Sequence, residues 1–288
     1  MLPMMVIIAV MNSLAHAPPS GAALPGLDIA AAHEPRRRRA ASLSLIIPAY
    51  NESARIGRTV REAIAWMRAQ PFVTELIVVD DGSADDTAAI AARALAGFSP
   101  GMLLRIPHGG KAAAVRAGML AATSEQIGFS DADLATPLAF LLELRAALEQ
   151  GSDIAIGSRE GAGARRIAEP PYRHLMGRVF NGLVQLLLIP GVQDTQCGFK
   201  LFRADVARDV LRRSRLYREG SRAVSGPRVT AFDVELLAIA RLRGYRVSSV
   251  PVVWTYGEGS QVRPARDTWH NMLDVLNVWI AAKRGLYQ

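Results

Sequence analysis

The chain has 288 residues, half of them apolar and about a fifth charged, with a formal net charge of +8. That supports one large domain or two small ones and is too apolar for a disordered chain. One cysteine, Cys197, excludes a disulfide framework and a cysteine-based zinc site, and five scattered histidines show no His-x-x-x-His pairing. The positive balance admits nucleic acid, an anionic membrane or a phosphorylated substrate.

All the cations except Lys111, Lys200 and Lys283 are arginines, a bias that suits phosphate contacts and is also what a GC-rich genome produces. Met1 to Leu14 is apolar but too short to span a bilayer, and it lacks the basic n-region of a signal peptide, although Ala15-His16-Ala17 resembles a cleavage site. A Pro/Gly/Ala stretch then leads to Arg36–Arg39. Residues 1–40 are read as a poorly ordered tail or an over-extended gene start, residues 41–262 as the main domain and 263–288 as a C-terminal helix.

From Leu43 the pattern alternates. Leu43–Ile47, Leu76–Val79, Leu103–Ile106, Ile127–Phe129 and Ile154–Ile156 read as strands; 53–68, 84–96, 111–122 and 137–149 read as the helices between them. Such alternation implies an α/β fold, a mostly parallel sheet with helices on both faces. Ser83 and Asp86 have capping-box spacing, and Thr136-Pro137 reads as an N-cap followed by a first-turn proline. Further on, Tyr172, Leu175, Met176, Val179, Phe180, Leu183, Val184 and Leu187 recur at helical spacing, predicting a helix over 172–188. Residues 232–243 read as another helix and Val247–Val253 as a strand placed at an edge by Pro251. Residues 265–284 read as an amphipathic helix carrying Trp269, Leu273, Leu276 and Trp279.

Each clear early strand runs into polar residues: Tyr50-Asn51-Glu52, Asp80-Asp81-Gly82-Ser83, Ser130-Asp131-Ala132-Asp133 and Gly157-Ser158-Arg159. In a parallel sheet these ends share one edge, where open α/β sheets bind ligands. Glu52, Asp80, Asp81, Asp131, Asp133 and Arg159 are therefore expected to converge. Asp131 and Asp133, two apart, point the same way from an extended segment and repel unless a cation lies between them. Hard oxygen ligands in that number suit Mg²⁺ or Mn²⁺ shared with a diphosphate. Gly109-Gly110-Lys111 opens a helix and favours an anion there, but it is no P-loop, because Ala112 stands where that motif has Ser or Thr. Gly97-Phe98-Ser99-Pro100-Gly101 matches a nucleophile-elbow string yet follows a helix, so it reads as a loop. Asn51-Glu52-Ser53 is a chance glycosylation sequon.

Together these segments resemble family-2 glycosyltransferases of the GT-A fold, in particular the polyprenyl-phosphate branch and its dolichyl-phosphate glucosyltransferases. The resemblance rests on Ile46-Ile47-Pro48-Ala49-Tyr50-Asn51-Glu52, Val78-Val79-Asp80-Asp81-Gly82-Ser83, Gly109-Gly110-Lys111, Asp131-Ala132-Asp133, Gly157-Ser158-Arg159, the stretch from Asp194 to Phe202, the stretch from Phe232 to Leu237, and Glu258-Gly259-Ser260. It implies a Rossmann-like sheet and the following roles. Pro48, Tyr50, Glu52 and Asp80 hold the nucleotide's base and ribose, with Asp81 close by and Lys111 on the donor side. Asp131 and Asp133 bind the divalent ion. Arg159 and Lys200 face the donor diphosphate and acceptor phosphate, and Asp194 is the acid that opens the 194–202 motif; Asp131, Asp133, Asp194 and Lys200 form the implied catalytic set. His108 and Gln261 depart from the Asn and Lys common in the family. Residues 216–230 look like a mobile acceptor loop.

The implied reaction is inverting transfer of a sugar, glucose from UDP-glucose, to a polyprenyl phosphate, with GDP-mannose, or a soluble enzyme with a hydroxyl acceptor, as alternatives. A phosphate acceptor is already anionic and needs no strong base; the leaving diphosphate needs cations. Asp233 or Glu235 would serve as base only for a hydroxyl acceptor, and otherwise order the acceptor side. The helices at 172–188 and 265–284 are candidate membrane-interfacial elements, with core packing or a homo-oligomer contact as the competing use. The expected place is peripheral, on the cytoplasmic face of a membrane. A carboxylate-lined crevice argues against nucleic acid, so the excess positive charge is expected elsewhere, at Arg36–Arg39, in 203–228 and near the C-terminus.

Overall fold

A computed structural model describes residues 42–216, 231–257 and 264–288, with side chains from Asn271 onward in the last segment. The 1–40 tail, most of the 216–230 loop, Glu258-Gly259-Ser260 and Gln261 lie outside the described residues. The strands are β1 (Leu43–Ala49), β2 (Thr74–Asp80), β3 (Gly101–Arg105), β4 (Gln126–Phe129), β5 (Ile154–Ser158), β6 (Arg165–Ile167), β7 (Lys200–Arg203), β8 (Val247–Pro251) and β9 (Val253–Thr255). The helices are α1 (Ile56–Arg68), α2 (Thr87–Leu95), α3 (Lys111–Ala121), α4 (Leu141–Glu149), α5 (Pro171–Leu187), α6 (Ala204–Arg213), α7 (Phe232–Leu242) and α8 (Pro264–Lys283).

Seven strands form one sheet in the order β3-β2-β1-β4-β7-β5-β8, and β6 pairs with β9 in a small second sheet. Six of the seven run parallel; β7 runs against both neighbours. The alternation of side chains along each strand builds two cores. Leu43, Leu45, Ile47, Leu76, Val78 and Leu201 face α1, α2 and α4. Ile46, Ile77, Val79, Ile127, Phe129 and Phe202 face α3, α5, α6, α7 and α8. Helices therefore cover both faces, and α8 contributes Val275 and Val278 to the same core as β1 and β4.

Three elements were not anticipated. Strand β7 is formed by the end of the 194–202 motif, helix α6 follows it directly, and β6 is only three residues long. The antiparallel β7 matters most, because its first residue, Lys200, sits opposite Phe129 and Ile156 at the carboxyl ends of β4 and β5. Val247–Val253 divides at Val252 into β8 and β9, and β8 is the edge strand that Pro251 called for. Pro48 is tolerated in central β1 because it points, like Ile46, toward β4, whose pairing ends at Ile46–Phe129. The expected caps differ. Ser83 accepts the Asn51 amide (2.9 Å) instead of capping α2, and α4 starts through a 3-10 turn at Leu138–Phe140 with no side-chain cap from Thr136.

Helices α5 and α8 present apolar residues outward. On α5 only Phe180, Asn181 and Val184 are buried, while Tyr172, Leu175, Met176, Val179 (68% exposed) and Leu186 (80%) face solvent. On the part of α8 from Asn271 onward, Asn271, Asp274, Val275 and Val278 are buried, while Leu273, Leu276 and Ile280 lie outside. The two helices pack against each other.

Candidate active site

The loops after β1 and β2 are stitched together by reciprocal bonds. The Asn51 amide donates to Ser83 Oγ (2.9 Å), Glu52 N–H to Thr87 Oγ1 (2.7 Å), Ser53 N–H to Asp85 (3.2 Å), and Ala84 N–H to Asn51 Oδ1 (2.9 Å). Asn51 holds a positive φ of 52°, a conformation Asn tolerates. The Asn51 sequon is thus part of a structural turn. The Asp85 carboxyl lies at about 2: burial pushes it up, and the Thr87 and Ser53 side chains together with the Thr87 and Ser53 amides outweigh that and pull it down.

Asp80, buried at the end of β2, faces its register partner Arg105 (Nε 3.4 Å) and accepts the Ser83 amide (3.3 Å). Tyr50 stacks on His108 with ring centroids 4.0 Å apart. Asp81 answers the anion expected at the Gly109-Gly110 turn. Its oxygens accept the Gly109 and Gly110 amides (both 2.8 Å) and lie 2.9 Å from His108 Nδ1. Gly110 takes φ +85° there. The chain's own carboxylate thereby fills the nest that the sequence offered to a substrate phosphate. Its pKa is raised, because burial outweighs the Gly109 amide, His108 and Gly110.

Lys111, first residue of α3, forms an ion pair with Asp131. Asp133 accepts the Ala135 amide (3.0 Å). The Asp133 pKa is raised by burial and then by the Asp131 charge, and that of Glu52 by burial and, against the pull of Arg55, by both aspartates. Three carboxylates from two strand ends thus share one field, as the topology required. Gly198 supplies the space for Asp131: a Cβ there would collide with its carboxyl group. Among the described residues no group of three His, Cys, Asp or Glu side chains is arranged to hold a metal.

Arg159 and Asp194 form a closed fork. Arg159 Nε and Nη2 donate to the two oxygens of Asp194 (2.7 and 2.8 Å), and the Arg159 amide adds a third bond (2.8 Å). Burial pushes the Asp194 carboxyl up, but Arg159 outweighs it and holds it at about 2. Arg159 also lies over the Trp254 ring, and its carbonyl accepts from Arg166, which pairs with Glu160 and Glu169. Lys200 is fully buried. Its ammonium donates to Asp233 Oδ1 (2.7 Å) and to the Cys197 carbonyl (2.5 Å). Glu235 accepts the amides of Arg215 (2.7 Å) and Leu216 (3.1 Å) and the hydroxyl of Tyr287 (2.9 Å). Burial pushes the Cys197 thiol to about 11, so it stays protonated at neutral pH.

The sequence-expected residues therefore do gather at one edge, but several are occupied by each other. Arg159 is held by Asp194 and Lys200 by Asp233. Unanticipated are His108, Trp254, Arg166, Asp274 and Tyr287; only His108 carried a signal, as a departure from the family's Asn.

A mostly parallel sheet with aspartates at the carboxyl ends of β2 and β4 is the arrangement of the GT-A fold. The chain belongs to glycosyl transferase family 2, which it matches over residues 44–211. It is 34% identical to the dolichyl-phosphate beta-glucosyltransferase of Drosophila melanogaster over 257 residues, covering 83% of this chain and 74% of that one. It is likewise 34% identical to the Homo sapiens dolichyl-phosphate beta-glucosyltransferase over 239 residues, covering 77% and 70%. Among solved structures, a mycobacterial protein aligns with TM-score 0.59 at 20% identity, covering 85% of this chain and 75% of that one. The glucosyl-3-phosphoglycerate synthase of Mycobacterium tuberculosis, in complex with Mn²⁺, uridine diphosphate and glucosyl-3-phosphoglycerate, aligns at 0.57 and 18%, covering 85% and 80%. These two likenesses establish the fold.

Proposed function

We propose that the chain transfers glucose from UDP-glucose to a polyprenyl phosphate of the dolichyl type, with inversion, at a membrane surface. The observation that carries this reading is the commitment of the acceptor-side carboxylates. Asp194 is locked to Arg159, Asp233 to Lys200, and Glu235 to two amides and a hydroxyl. None of the three is placed to take a proton from a hydroxyl acceptor, whereas a phosphate acceptor needs no base. The names of the similar proteins support the same acceptor and sugar.

Pro48, Tyr50, Glu52 and Asp80 line the base and ribose side, with Asp81 holding the Gly109-Gly110 turn beneath Lys111. Asp131 and Asp133 fit Mg²⁺ or Mn²⁺: two hard oxygens, mutually repelling, with the remaining positions left to diphosphate and water. When bound, the divalent ion supplies charge stabilisation to the departing diphosphate. Lys111, released from Asp131, would add its charge on the same side, and Arg159, aimed by Asp194 and Trp254, would face the acceptor phosphate. Lys200 acts from beneath, as a buried positive charge held by Asp233.

No helix among the described residues is long and apolar enough to cross a membrane. Peripheral docking at the cytoplasmic face would use the outward Leu175, Val179 and Leu186 of α5 with Leu273, Leu276 and Ile280 of α8. The test is flotation with vesicles containing anionic lipid. The combined variant Val179→Glu and Leu276→Glu should stay unbound while still glucosylating farnesyl phosphate in solution; wild-type flotation of that variant removes these helices from the reading.

A further inference from the structure

We infer that α8 is a positioning element of the active centre: Asp274 and Tyr287 fix the first turn of α7, and that turn carries Asp233, the counter-ion of Lys200. The local sequence leaves this turn without a cap of its own. Its N-cap residue is Ala231, which has no side-chain acceptor, and no side-chain cap bond forms. The acceptor comes from 43 residues downstream, where Asp274 Oδ2 takes the buried Ala231 amide (3.3 Å). Four residues along the same helix, Glu235 takes the Tyr287 hydroxyl (2.9 Å). Tyr287 is almost fully buried, and its own carbonyl accepts from Arg213 (3.3 Å). Glu235 also binds the Arg215 and Leu216 amides, so one carboxylate joins the end of α6, the start of α7 and the chain after α8.

The link onward to the site is short. Asp233 lies between Ala231 and Glu235, and its carboxylate holds Lys200 (2.7 Å). Lys200 in turn donates to the carbonyl of Cys197 (2.5 Å), the residue before the glycine on which Asp131 rests. A first turn of α7 held at both ends by α8 and its C-terminal extension keeps the Asp233–Lys200 pair in register with β7. Asp274 holds the Ala231 amide and Tyr287 holds Glu235, so both act on Lys200 through the first turn of α7. Helix α8 thus has two faces with two uses: the outer one apolar and exposed, the inner one bearing the polar group that holds α7.

The kinetic consequence rests on the reading of Lys200 as serving the acceptor phosphate, so the experiment has a second readout independent of transfer. The full chain and its Tyr287→Phe, Asp274→Ala and Asp274→Asn variants are compared in two ways. One is UDP-glucose:farnesyl-phosphate transfer with Mg²⁺. The other is hydrogen exchange of peptides covering 231–237 and 197–203. Loss of one buried hydrogen bond should speed exchange at 231–237 about fivefold and lower kcat/KM for the acceptor by a similar factor, with the donor KM unchanged. Asp274→Asn, which keeps an acceptor oxygen, should recover most of what Asp274→Ala loses. Wild-type exchange at both segments in Tyr287→Phe and Asp274→Ala overturns the inference, and so does exchange that quickens uniformly across the chain with donor and acceptor parameters falling together. If the wild type transfers nothing to the lipid phosphate while exchange at 231–237 still quickens locally in the variants, the acceptor reading falls and the positioning of α7 by α8 stands.

Discussion

Replacing Asp194 by Asn removes the charge that holds Arg159 while keeping the side chain's shape. In the folded chain the Asp194 carboxyl lies at about 2, against an ordinary value of 3.8. That fall corresponds to about 2 to 3 kcal/mol of folding free energy, at about 1.4 kcal/mol per tenfold change. The folded value lies below the unfolded one, so the stabilisation is complete above the unfolded pKa and is lost as pH drops toward 2. At pH 3 roughly half should remain. Denaturant unfolding at pH 7 should therefore place Asp194→Asn about 2 to 3 kcal/mol below wild type, and at pH 3 about half as far below. Asp194→Ala leaves Arg159 buried without a counter-charge and should cost about 3 to 5 kcal/mol at pH 7. An Asn variant as stable as wild type at pH 7, or one whose deficit is the same at pH 3, would refute the reasoning.

Three further outcomes follow from the same geometry. Asp133→Ala should reduce metal-dependent transfer by about a hundredfold or more without lowering the metal-free unfolding midpoint, because it relieves the repulsion with Asp131; an active variant sinks the metal assignment. Gly198→Ala drives a methyl group into the Asp131 carboxyl and should cost about 1 to 3 kcal/mol, together with a raised metal requirement in transfer assays; an unchanged metal titration would show that Asp131 does not need this cradle. Tyr50→Ala removes the ring stacked on His108 and should raise the donor KM while leaving the acceptor KM unchanged, measured by varying each substrate in turn.

The first half of the fold was legible because each buried strand is a short apolar run ended by a polar cluster, and the helices between them show helical spacing of apolar residues, with α2 and α3 rich in alanine. The reversed strand β7 was not, because it is four residues long, begins with a lysine and sits inside a motif whose residues invited a chemical reading. Helical periodicity located α5 and α8 but could not say which face meets the core. On the described part of α8 the inner face carries Asn271 and Asp274 beside Val275 and Val278, while Leu273 and Leu276, offered by the sequence as interfacial residues, point outward. At the site, convergence on one edge followed from strand direction alone. Pairing did not, because Arg159 and Asp194 are 35 residues apart and Lys200 and Asp233 are 33 apart, and nothing local marks either as the other's partner. Asp81 shows the same limit: the glycine turn announced an anion, and only the tertiary structure identifies it as the carboxylate 28 residues earlier.

The most direct measurement is transfer by the purified chain from labelled UDP-glucose, GDP-mannose and other nucleotide sugars to polyprenyl phosphate, with Mg²⁺ and then with chelator. The expected result is a chelator-sensitive glucosyl lipid phosphate made from UDP-glucose and lost in Asp133→Ala. Transfer to a hydroxyl acceptor with none to the lipid phosphate, or transfer that survives both the chelator and Asp133→Ala, would contradict the account.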